Sequence, residues 1–190
     1  MGKQGHFTPG IFQFLRELAA HNDKDWFQAN KHRYEADVRQ PVLRFVEDFA
    51  AHLRTISRHF EADPRPVGGS MFRIHRDTRF SKDKSPYKTN VGAHFPHSTA
   101  GKDVHAPGFY LHLEPGGSMG GGGLWHPDGP ALKKVRDRIA GRPKDWKKIL
   151  DAGTPISGDA LKRPPAGYAP DHPFLEDLKR KDFYTMTSFS

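Results

Sequence analysis

Apolar residues recur every three or four positions over the first third of this 190-residue chain. Ile11, Phe12, Phe14, Leu15, Leu18 and Ala19 would share one face of a helix, because 3.6 residues complete a turn. Thr8-Pro9 is a suitable start, with a hydroxyl at the cap and a proline at the first helical position, where a missing N–H is harmless. Asn22 or Asp23 is placed to cap a second helix bearing Trp26, Phe27 and Tyr34. Pro41 should break or kink it, and Val42, Phe45, Phe49, Leu53 and Ile56 carry the period into a third helix.

After the turn chemistry of residues 62–69 the period changes from helical to alternating. Met71–Arg76 reads as a strand with Phe72 and Ile74 on one face and Met71, Arg73 and His75 on the other. Asn90–Phe95 is a second candidate strand and Gly108–Glu114 a third. In the third, Phe109, Leu111 and Leu113 face one way, and Tyr110, His112 and Glu114 the other, as in a sheet covered by helices on one side. Pro115 closes it, and the glycine-rich Gly116–Gly123 reads as a flexible or bulged connection. Asp128 caps a further helix with Pro130 in its first turn, Pro143 starts another, and residues 151–173 are irregular before a short helix near Phe174–Arg180. The expected fold is α+β in a single domain over residues 1–190: a helical N-terminal third, a central, mostly antiparallel sheet, then further helices.

Composition adds a core and a charge. Apolar residues are only 35% of the chain, but 14 phenylalanines supply large surfaces for burial. No window has the run of about 18 apolar residues that a membrane span requires, and no basic-then-apolar leader opens the chain. With no cysteine, disulfides and thiolate zinc sites are excluded, and a cytoplasmic setting is the expectation. A net charge of +8 suits a polyanionic partner such as nucleic acid or nucleotide, although it is also what a merely soluble basic protein carries.

The charge is concentrated in FRIHRDTRFSKDKSPYKTN, residues 72–90. Arg73, Arg76, Arg79, Lys82, Lys84 and Lys88 stand there against Asp77 and Asp83 alone. Guanidinium forks fit phosphate or carboxylate, lysines add point charge, and Thr78, Ser81, Ser85 and Thr89 add hydroxyls. The other reading of the same residues is a loop pinned by its own Arg–Asp pairs, Arg76 or Arg79 with Asp77.

Two further features bear on chemistry. The glycine run lacks the Lys-Ser/Thr ending of a phosphate-binding loop and the spacing of a dinucleotide fingerprint, but its amides could approach an anion, with Trp125 stacking a base at the rim. Among the 12 histidines, His75 and His112 fall on predicted strands, and with Glu114 they are candidates for acid–base catalysis. No compact metal-binding spacing is present, so a metal would need ligands assembled across strands, and neither a metal nor a cofactor is assigned. The serine-nucleophile motif is absent, and an acidic cluster of the two-metal type is thin.

MFRIHRDTRFSKDKSPYKTNVGAHF (Met71–Phe95), GFYLHLEPGGSMGGGGLWHPDGPALKKVR (Gly108–Arg136) and DHPFLEDLKRKDFY (Asp171–Tyr184) resemble the domain-of-unknown-function family numbered 2461. FTPGIFQFLRELAAHNDKDWFQANKHRYE resembles that family's usual opening. The resemblance implies that Arg73, Arg76, Asp77, Arg79, Phe80, Lys82, Asp83, Lys84, Pro86, Tyr87 and Lys88 occupy family motif positions, and it implies no reaction. Family members usually continue into another helix where this chain ends in TMTSFS, so a final helix is expected to be missing, with apolar surface left open.

Three functions remain in view. The basic stretch binds a phosphorylated or otherwise anionic ligand, with nucleic acid or nucleotide favoured; an enzyme acts on such a ligand in the same pocket; or the charges form an internal structural network. Oligomeric state is left open.

Overall fold

The first third becomes α1 (Pro9–Ala20), α2 (Lys24–Ala29), a single turn α3 (Lys31–Arg33) and, after a π-helical turn over Tyr34–Arg39, α4 (Gln40–Ile56). These belong to a computed structural model, which describes residues 5–190 apart from Gly101, Lys102 and Val104. Thr8 is extended at the start of α1, but its hydroxyl makes no capping bond. Asp23 does cap α2, its Oδ1 accepting from the Trp26 N–H at 2.8 Å. Pro41 does not end the helical path. The wide turn ahead of it, where the Gln40 N–H reaches back to the Glu35 carbonyl, carries the chain past a residue that cannot donate.

Four strands form one antiparallel sheet in chain order: β1 (Val91–Pro96), β2 (Gly108–Leu113), β3 (Met119–Leu124) and β4 (Phe183–Ser188). Val91 pairs with Leu113, Ala93 with Leu111 and Phe95 with Phe109, so their side chains share one face. That face meets Ile11, Phe14, Leu15, Val42, Val46 and Leu53 of the helices in the main core, as an α+β fold requires. Phe45 and Phe49 meet Phe95 with ring centroids 6.5 and 4.9 Å apart. The expected alternation in β2 is present: Leu111 and Leu113 are buried, while Tyr110 and His112 lie on the face away from the helices. Downstream, α5 (Gly129–Gly141, capped by Asp128), α6 (Pro143–Asp151) and α7 (Leu175–Leu178) follow β3. Ile139, Leu178 and Phe183 form the centre of a second, smaller core, with Leu124, Trp146 and Phe174 packed around it.

Two expectations are corrected. Gly116 and Gly117 do make the turn between β2 and β3, but Gly120–Gly123 lie in a central strand, for β3 is paired on both sides. Glycine is required because neighbours occupy the space a side chain would need. A Cβ on Gly121 would lie 1.9 Å from the Thr185 carbonyl oxygen, and one on Gly122 would lie 2.8 Å from the Phe109 ring. Near the end of the chain, Phe183–Ser188 forms the edge strand β4.

Met71–Arg76 is not a regular strand. It makes isolated bridges, Met71 to Ala93 and His75 to Tyr87, so the return arm spends two more residues than the first arm between them. Thr89 and Asn90 fall in that bulge, which breaks the alternation. Met71 and Ile74 are therefore buried together, and Phe72 turns to the opposite face, near Tyr110.

Candidate functional site: a basic hairpin on the sheet edge

Met71–Arg76 and Pro86–Lys88 form the two arms of an irregular hairpin beside β1. Bonds from Arg76 N–H to the Pro86 carbonyl (2.9 Å) and from Lys88 N–H to the Ile74 carbonyl (2.8 Å) join them. Asn22, at the α1–α2 junction, clamps the return arm: its side-chain amide donates to the Tyr87 carbonyl at 2.9 Å and accepts from the Tyr87 N–H at 3.0 Å. Tyr87 stacks on Phe27 with centroids 4.1 Å apart, so the hairpin is anchored in the main core.

Residues 77–85 form the loop at the hairpin's end, and its charges largely consume one another. Arg79 donates to both oxygens of Asp77 at 2.9 and 2.6 Å. Arg76 donates to Asp83 and to the Ser85 hydroxyl, while Ser85 N–H and Oγ both donate to Asp83 at 2.9 Å. Lys84 donates to the Thr78 carbonyl at 2.8 Å. The guanidinium of Arg79 holds the Asp77 carboxyl down at about 2, and the Ser85 amide, with Arg76, does the same for Asp83.

The other basic residues of the stretch differ. Among the described residues, Arg73, Lys82 and Lys88 have neither a carboxylate partner nor a side-chain hydrogen bond. Lys82 and Arg73 are exposed, and Lys88 is half-buried with its ammonium 5.4 Å from the centre of the Phe72 ring. Burial, with the Arg73 charge added, lowers the pKa of Lys88 below its ordinary value.

Beside Lys88 on the same face lies a chain of polar contacts. Glu114 Oε2 accepts from His112 Nε2 at 2.9 Å, and His112 Nδ1 lies 3.0 Å from the Tyr110 hydroxyl and 3.2 Å from the Asn90 side-chain nitrogen. With Nε2 donating to the carboxylate, Nδ1 of a neutral ring is left as the acceptor. Released from the ladder by the bulge, Asn90 can turn toward His112. Burial raises the pKa of the Tyr110 hydroxyl, with Glu114 adding to the shift. Such a chain can pass a proton between the phenol and the imidazole, whose resulting charge the carboxylate would offset.

The structure therefore groups His112 and Glu114 with Tyr110, which the Phe72 ring links to Lys88, and separates His75 and Trp125 from them. His75 packs against Tyr87 and Phe27, toward the helices, with centroids at 5.1 and 6.3 Å. Trp125 follows the end of β3 that lies opposite the start of β1, so the length of the sheet, roughly 15 Å at ~3.3 Å per residue, lies between it and the basic hairpin. It stacks instead on His105 at 5.7 Å and lies tilted against His126 at 4.4 Å. The glycine run and Trp125 thus do not rim the basic loop. Tyr110, Asn90 and the Asn22 clamp are additional members; only Tyr110 announced itself, by alternating with His112 and Glu114. Among the described residues no group of three or more histidines and carboxylates is placed to hold a metal ion. Nor is any described helix long and apolar enough to cross a membrane.

An antiparallel sheet with helices on one face and a charged hairpin at its edge defines the class of protein. The chain belongs to the family described as conserved hypothetical protein (DUF2461), whose family model matches residues 10–190. No curated protein and no solved structure matches it.

Proposed function

We propose that the outer face of the sheet, at the base of the hairpin, binds a phosphorylated or otherwise anionic ligand of the nucleic-acid or nucleotide class, in a cytoplasmic setting. Lys88 carries this reading: a half-buried ammonium without a carboxylate partner among the described residues, beside the Arg73 guanidinium. Two cations held close together repel unless an anion lies between them, and a phosphate would offset both the repulsion and the desolvation. Lys82 adds charge from the loop, Arg79 retains outward N–H groups at 76% side-chain exposure, and Arg76 and Lys84 keep the loop in shape.

The test is equilibrium binding of labelled single-stranded and duplex oligonucleotides, with ATP and inorganic phosphate as small probes, over a salt series. Polymer affinity is expected to fall linearly with salt on logarithmic axes. The double variant Arg73→Ala/Lys88→Met is expected to weaken binding by at least about tenfold, the scale of one charge-assisted hydrogen bond. Absence of binding at low salt, or a double variant that binds like the parent, sinks the proposal.

The contacts among Glu114, His112 and Tyr110 favour a second reading, an enzyme acting on a phosphorylated substrate at the same face. Here His112 or Tyr110 exchanges the proton and Glu114 orients the imidazole. Phosphoester hydrolysis by the parent that is lost in His112→Gln would support it; a panel with no turnover at any pH would remove it.

A further inference from the structure

Phe80, at the end of the hairpin loop, is 96% exposed. We propose that Phe80, with Arg79 beside it, is a stacking platform for the bases of a single-stranded nucleic acid. This rests on the anion-binding reading above and names its ligand class.

Four observations converge on it. First, the ring is presented by a loop fastened on both sides. Asp77 and Arg79 are paired before it, Arg76 joins Asp83 and Ser85 behind it, and Lys84 crosses to the Thr78 carbonyl. A side chain on such a loop gives up little freedom when it binds. Second, the Arg79 guanidinium lies 5.8 Å from the ring centre, which gives the platform a second planar, cationic face. Third, the surrounding charge is selective. Asp77 and Asp83 are engaged by arginines, while Lys82, two residues after Phe80, is exposed, so an anionic partner with flat apolar faces fits both features. Single strands offer such faces, whereas a duplex hides them in its stack.

The fourth observation is extent. The paired positions Ile74–Lys88, His75–Tyr87 and Arg76–Pro86 separate Lys88 from the loop that carries Phe80. A strand with phosphates at Lys88 and Arg73 and a base on Phe80 follows the hairpin from base to tip.

The experiment is fluorescence anisotropy with a labelled oligothymidylate about twelve nucleotides long and an abasic oligomer of equal length. Phe80→Ala is expected to weaken the oligothymidylate roughly fivefold to a hundredfold, to leave the abasic oligomer unchanged, and to keep the salt slope. Phe80→Trp is expected to restore binding. Because the ring is exposed, both variants should melt like the parent, which a thermal scan checks. If Arg73→Ala/Lys88→Met weakens both oligomers while Phe80→Ala weakens neither, the platform is wrong and the anion site stands. If neither oligomer binds the parent at low salt, both fall. Phe80-dependent binding to phosphatidylserine vesicles with Phe80-independent oligomer binding would overturn the platform in favour of a membrane contact.

Discussion

Arg76 and Arg79 end on carboxylates of their own loop, whereas Arg73 and Lys88, from the same basic stretch, end on none among the described residues. The difference is one of reach. Asp77 lies two residues from Arg79, and Asp83 is brought to Arg76 by the loop's closure, so both arginines find an acid without leaving the loop. Arg73 and Lys88 sit where the hairpin meets the sheet, and Asp77, the carboxylate whose charge Arg73 feels, is already engaged by Arg79. A run of like charges thus divides into a part that shapes a loop and a part left for a ligand.

The most damaging test of this division is a pair of single variants. Lys88→Met is expected to lower affinity for inorganic phosphate and oligonucleotides by about tenfold or more while the protein melts at or above the parent's temperature, since a poorly solvated charge is removed. Arg76→Ala is expected to do the reverse for inorganic phosphate, lowering the melting temperature and leaving that affinity within about twofold, because its pairs with Asp83 and Ser85 shape the loop and not the base of the hairpin. If the two variants behave alike, the division is wrong. In the parent, anion binding should fade as pH rises through the lowered pKa of Lys88, before the ordinary 10.5. The sign follows from linkage: a lysine whose folded pKa is lowered makes charge unfavourable in the fold, and this cost is relieved as pH rises toward the unfolded value.

Asn22→Ala comes next, because it loosens the arm both regions share. Losing both bonds to Tyr87 should cost about 1–3 kcal/mol in chemical denaturation. Asn22→Asp, which keeps the acceptor for the Tyr87 N–H, should cost less. Equal stability of all three proteins would show that the stacking of Tyr87 on Phe27 alone fixes the arm.

The smallest effect is an acid transition confined to the loop. Asp77 and Asp83 titrate near 2, below their ordinary 3.8, so their pairing is complete above 3.8 and is lost as pH falls from there toward 2. Side-chain NMR signals of Arg79 and Phe80 should shift in that window, and Asp77→Asn should remove the Arg79 component. A shift centred near 4 would show that the pairs do not form in solution.

Much of this arrangement was legible in the chain. The three helical stretches, the caps at Asp23 and Asp128, and the shared face of Tyr110, His112 and Glu114 follow from spacing that nearest neighbours enforce. Strand β3 was illegible because four of its six residues, Gly120–Gly123, are glycine, and the surfaces that make it a strand, Phe109 and Thr185, belong to other strands. The bulge at Thr89–Asn90 was hidden because it is a mismatch between two arms, which neither arm shows alone.

The sequence by itself determined the helices, the polar face of β2, and the supply of cations and acids in one short stretch, all through interactions a few residues long. Only the tertiary structure decided which cations would be neutralised, that His75 would turn to Phe27 and away from His112, and that Trp125 would lie at the far end of the sheet. These outcomes depend on strand register and on the Asn22 clamp, which joins residues 65 positions apart. Contacts of that range are set by how the sheet and helices bury their apolar faces together, and no local pattern encodes them.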